Sequence, residues 1–61
     1  MANLNQMELQ NLRHLISDEQ LSATKCGTYA QQAQDPQLKN FFNKHSQQAQ
    51  QNAQRLEQFL Q

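Results

Sequence analysis

Apolar residues along this chain recur at steps of three and four, the spacing that lines one side of an α-helix. The first stripe runs through Leu4, Leu9, Leu12, Leu15, Ile16, Ala23, Cys26, Ala30 and Ala33, and its only interruption is the carboxylate of Glu19. A second stripe takes in Leu38, Phe41, Phe42, His45, Ala49, Asn52 or Ala53, Leu56, Phe59 and Leu60, with one imidazole in its middle. The pattern predicts an all-α chain of two amphipathic helices.

The break between the stripes falls at Asp35-Pro36. Asp suits the residue that caps a helix, and Pro suits the first helical position, where its missing N–H would have no partner anyway. Pro also holds Asp35 in extended geometry, which stops an incoming helix by about Gln34. Upstream, Asn5-Gln6-Met7-Glu8 reads as a capping box, with Glu8 placed to return the bond that Asn5 gives. The expected elements are a helix over about 6–34, a turn at 34–36 and a helix over about 36–60. A second capping box at Ser17-Asp18-Glu19-Gln20 and the single Gly27 are possible break points. The stripe keeps its phase across both, so one continuous helix is expected.

At 1.5 Å per residue the two helices would be rods of roughly 42 and 38 Å, matched well enough to lie side by side as an antiparallel hairpin. Facing positions should then carry numbers adding to about 70. This sets Phe41 and Phe42 against Cys26, Ala30 and Ala33, and Leu9, Leu12 and Ile16 against Ala53, Leu56 and Leu60, large against small. Two helices cannot enclose a core, and Leu4, Met7, Leu21 and Tyr29 widen the apolar surface beyond a two-helix seam. The economical solution is a homodimer closing a four-helix bundle, with Leu12, Leu15, Ile16, Phe41, Phe42, Leu56 and Phe59 as its core.

Composition sharpens this picture. With 61 residues, 36% of them apolar, the chain has too little core for an enzyme cleft. Gln and Asn make up a third of it, 14 and 6 residues; one Gly, one Pro and the helical periodicity assign them to solvated helix surface rather than disorder. Five basic residues balance five acidic ones, so nothing steers the chain to nucleic acid or to an anionic membrane. The lone Cys26 excludes an intrachain disulfide and fits a reducing compartment. The N-terminus lacks the basic and apolar regions of a signal peptide, so an unsecreted, soluble chain is expected.

Two polar residues sit on the stripes and carry the candidate chemistry. Glu19, among Leu12, Ile16 and Ala23, loses solvation unless it is paired or holds a cation. His45 occupies the comparable place on the second helix, and carboxylate with imidazole is a transition-metal ligand set in bundles. The register separates them by about six residues, roughly 9 Å, so within one hairpin they should not share an ion. Across a dimer, two of each can converge as metal ligands. The plainer expectation pairs Glu19 with Lys25, Gln48, Asn52 or a partner residue, and packs His45 between Phe41 and Ala49. Cys26 reads as a small apolar group, Tyr29 as a seal near the turn and His14 as a solvated residue. No nucleophilic triad, phosphate loop or Glu-x-x-His pattern is present in the sequence, so neither catalysis nor a cofactor is expected.

From Glu19 to Leu60 the order of residues resembles the coat F family of bacterial spore coat proteins. The resemblance rests on Glu19-x-Leu21, Lys25-x-x-x-Tyr29-Ala30, Asp35-Pro36-x-Leu38 and His45, followed by a Gln-rich helix ending in Leu56 and Leu60. The chain departs from the family at Cys26, where an aromatic is usual, and at Ala49 and Asn52, where histidines are. The resemblance implies a ferritin-type bundle built from two-helix units and a non-enzymatic structural role in a spore coat, with other coat proteins as partners. Three classes follow: a structural or assembly homodimer, cytoplasmic or in the spore coat; a metal-binding bundle using Glu19 and His45; and a hairpin that lends its helices to a larger partner.

Overall fold

A computed structural model describes residues 4–60. Helix α1 spans Gln6–Gln32, helix α2 spans Pro36–Glu57, and a short 3-10 turn, Gln58–Leu60, continues α2 in tighter winding. Among the described residues there is no strand. The two helices pack along their length as a hairpin, a rod of 46 × 15 × 12 Å.

Both helix starts are where the capping residues place them. The Glu8 N–H donates to Asn5 Oδ1 at 2.7 Å and the Asn5 N–H donates to Glu8 Oε1 at 3.1 Å, so the box satisfies two otherwise orphaned donors. At α2, Asp35 Oδ1 accepts from the N–H groups of Gln37 (2.8 Å) and Leu38 (3.0 Å), with Pro36 opening the helix. Helix α1 ends at Gln32 rather than near Gln34. Ala33 leaves helical geometry with ψ 135° while its N–H still closes on the Tyr29 carbonyl at 2.9 Å. Asp35 is extended too, as the following proline requires, so the reversal occupies Ala33–Asp35. Helix α1 runs unbroken through Ser17–Gln20 and through Gly27.

The seam is made of small residues. Ile16, Ala23 and Ala30 of α1 and Ala49 and Ala53 of α2 are buried, flanked by half-buried Leu9, Leu12, Phe42 and Leu56. Alanine at these levels allows close approach of the helices but removes little apolar area from water, so each contributes less than a buried Leu would. The polar position on the α2 side of the seam is Ser46, not His45. The Ser46 hydroxyl donates across it to the Ala23 carbonyl at 2.7 Å. His45 is exposed, its ring stacked on Phe41 at 5.9 Å between centroids rather than packed toward Ala49. The physical reason is phase: Phe42, Ser46, Ala49, Ala53 and Leu56 cluster within one narrow arc of α2, and His45 falls beside it.

Candidate interaction face

Three cross-seam pairs fix the register. Ala23 bonds Ser46, Tyr29 meets Phe42 edge to face at 5.4 Å, and Asn52 Nδ2 donates to Glu19 Oε2 at 3.2 Å. Facing residues therefore carry numbers adding to 69–71. Glu19 and Asn52 also mark one side of the hairpin, and Gln20, whose amide donates to Glu57 Oε1 at 3.3 Å, marks the other.

The two sides differ in chemistry. The side marked by Gln20 is an amide surface, with Thr24, Gln50, Gln54 and Glu57 around a shallow depression. The side marked by Glu19 is apolar at both ends. Toward the chain termini Leu4, Leu12, Leu15, Leu56 and Phe59 line an open groove, and toward the turn Tyr29, Ala33, Leu38 and Phe42 line another. Helical phase carries Leu15, Ser22, Cys26 and Tyr29 of α1 and Phe41, His45, Gln48 and Asn52 of α2 along the same side, a second pair of stripes beside the seam. Phe41 leaves 61% of its surface exposed and Leu15 leaves 47%, and Tyr29, Leu38 and Phe59 are exposed as well. An aromatic row, Tyr29–Phe42–Phe41–His45, spans the turn half of this open side.

Among the expected bundle-core residues, Ile16 is buried in the seam, Leu12, Phe42 and Leu56 are half-buried, and Leu15, Phe41 and Phe59 stand on the open side. Met7 and Leu21, expected to widen that surface, lie instead on the far flank of α1, both exposed and nearly opposite the seam in helical phase. Glu19 is half-buried and takes its hydrogen bond from Asn52, one of the partners its position suggested. His45 lies level with residue 26, about 10 Å along the axis from Glu19, so one hairpin does not bring the two together. Cys26 is half-buried at that level. Among the described residues no three His, Cys, Asp or Glu side chains gather closely enough to hold an ion. Nor, among them, is any helix long and apolar enough to cross a membrane. The sequence reading passed over Ser46, whose signal was its place one turn on from Phe42 and in phase with Ala49 and Ala53.

Compared with family models, curated proteins and solved structures, the chain matches none.

Proposed function

We propose that this chain is a non-enzymatic structural or assembly protein that works as a homodimer, two hairpins joined through their open apolar sides into a four-helix, ferritin-like bundle. The carrying observation is the surface of the lone hairpin. It exposes 5050 Å², whereas a compact monomer of 7.1 kDa would expose about 4,100 Å². On the Glu19 side Leu15, Tyr29, Leu38, Phe41 and Phe59 stand exposed, while the Gln20 side is mostly polar, with Thr24, Gln50, Gln54 and Glu57. Four helices around one core would bury those side chains and leave the amides of the Gln20 side solvated. The setting as a coat-type building block, with other coat proteins as partners, is supported by the resemblance of Glu19–Leu60 to the coat F family.

Sedimentation equilibrium tests the association. The wild-type chain should sediment at twice 7.1 kDa, and Leu15→Asp should sediment as a monomer, because Leu15 lies outside the hairpin seam. A monomeric wild type across the accessible concentration range overturns the homodimer. The coat setting is tested by fractionating sporulating cells of the source organism: the chain should enter the coat fraction, and its exclusion from that fraction refutes the assignment.

A second reading is a metal-binding bundle with Glu19 and His45 of both subunits as ligands. The observation that favours it is their shared location on the open side, where each is free to meet groups from a second chain. It requires stoichiometric divalent metal in the purified dimer and its loss in Glu19→Ala.

A further inference from the structure

The open side reads nearly the same from either end about the level of Ser22. Leu15 and Leu56 lie about two turns from that level toward the termini, and Tyr29 and Phe41 lie about two turns from it toward the turn. Between them, Glu19 stands about one turn to one side and His45 about one turn to the other. We infer that a second copy covers this side running antiparallel, with the twofold axis crossing the hairpin at Ser22, so that Glu19 shares a layer with the partner's His45 and Leu15 packs on the partner's Tyr29 and Phe41. The inference rests on the homodimer reading and adds its orientation, its register and the contact between Glu19 and the partner's His45.

A twofold axis at Ser22 sets each level of one hairpin against the level equally far beyond Ser22 in the other. Leu12 and Phe59 then meet the partner's Leu38, and Leu15 and Leu56 meet the partner's Tyr29 and Phe41, so leucine fills against aromatic at both ends. The layer of Glu19 and Asn52 receives the partner's Cys26 and His45, which sets an imidazole beside a half-buried carboxylate. Serine at the crossing point lets the two α1 helices approach closely, as small residues do at helix crossings. Two other arrangements fail on the charge of Glu19. A parallel pair places Glu19 in one layer with the partner's Glu19 and His45 in one layer with the partner's His45. An antiparallel pair centred on the rod brings the two Glu19 carboxylates together at the axis. The roughly 1,000 Å² by which the hairpin exceeds a compact monomer is on the scale of the ~800 Å² that each partner buries in a stable interface.

Two experiments on the full chain, both with chelator present, test the arrangement. In Ser22→Cys/Cys26→Ala, the two introduced thiols lie near the axis on adjacent α1 helices. Oxidation or a short bismaleimide should convert the dimer to a covalent one, while wild-type Cys26, about 12 Å along the axis from its mate, stays unlinked. In the second, Glu19→Lys should weaken dimerisation about tenfold and Glu19→Lys/His45→Glu should restore it to within about threefold of wild type. Within one chain the two positions are too far apart for that rescue, so it must pass through the partner. A dimeric protein in which Ser22→Cys/Cys26→Ala does not link, or in which the charge swap fails to rescue, overturns this arrangement and leaves the homodimer standing. A protein that sediments as a monomer, or as a complex with a different chain, overturns both.

Discussion

Ser46 and His45 are neighbours in sequence, and the difference between their roles is one of about a hundred degrees of helical phase. Ser46 lies in the narrow arc that faces α1, and a hydroxyl fits there because the Ala23 carbonyl accepts its bond at 2.7 Å. The imidazole one position earlier is displaced onto Phe41 and into water. Apolar spacing alone misassigned this pair, since a stripe read at steps of three and four is wide enough to hold both. Gly27 lies level with Ser46 and gives a sharper expectation. A methyl group built there would stand 3.7 Å from Ser46 Oγ, ordinary van der Waals contact, and no described residue adopts a positive φ. Gly27→Ala should therefore stabilise the fold by about 0.5–1 kcal/mol through the lower entropy of the unfolded chain. Urea titration followed by circular dichroism measures this. A loss of stability would mean that the two helices come closer at this level than the 3.7 Å contact indicates.

The helices themselves were legible because their ends are written in local chemistry. Asn5 with Glu8 starts α1 and Asp35-Pro36 starts α2, each through side-chain acceptors for backbone donors that have no helical partner. The C-terminus of α1 was less so, because no glycine ends it. Its stop is set from downstream, by a proline that imposes extended geometry on Asp35 and leaves the chain too few residues to reverse unless Ala33 leaves the helix as well. Replacing the cap isolates its contribution. Asp35→Ala deletes the acceptor for Gln37 and Leu38 and should cost about 1 kcal/mol, whereas Asp35→Asn and Asp35→Ser, which keep a capping oxygen, should recover most of it. Denaturant midpoints of the three variants decide this. Equal midpoints for Asp35→Ala and wild type would show that Pro36 alone positions the start of α2.

At the scale of the whole molecule, the fully buried part of the seam amounts to five small and medium side chains. Ile16, Ala23, Ala30, Ala49 and Ala53 are its fully buried members, and four of the five are alanines that bring little hydrophobic gain against the entropy of ordering the chain. The sequence showed this deficit as a low apolar fraction, but it did not show that Leu15, Tyr29, Phe41 and Phe59 share one side, because that depends on the register linking Glu19 to Asn52 and Tyr29 to Phe42. If a second copy supplies the missing core, folding and association are one equilibrium, and stability must rise with concentration. Unfolding of a pair of such chains would absorb on the order of 85 kcal/mol at about 0.7 kcal/mol per residue, so each tenfold dilution should lower the melting temperature by about 6 °C. A hairpin stable by itself would melt at the same temperature at every concentration. In the monomer Leu15 and Phe41 are surface residues, and aspartate at either would change the stability of a self-sufficient hairpin by well under 1 kcal/mol. In the dimer each lies in a buried layer, so Leu15→Asp should abolish the dilution dependence together with most of the helical signal. Helicity that survives Leu15→Asp at micromolar concentration would assign stability to the hairpin itself and make the open side available to a different partner.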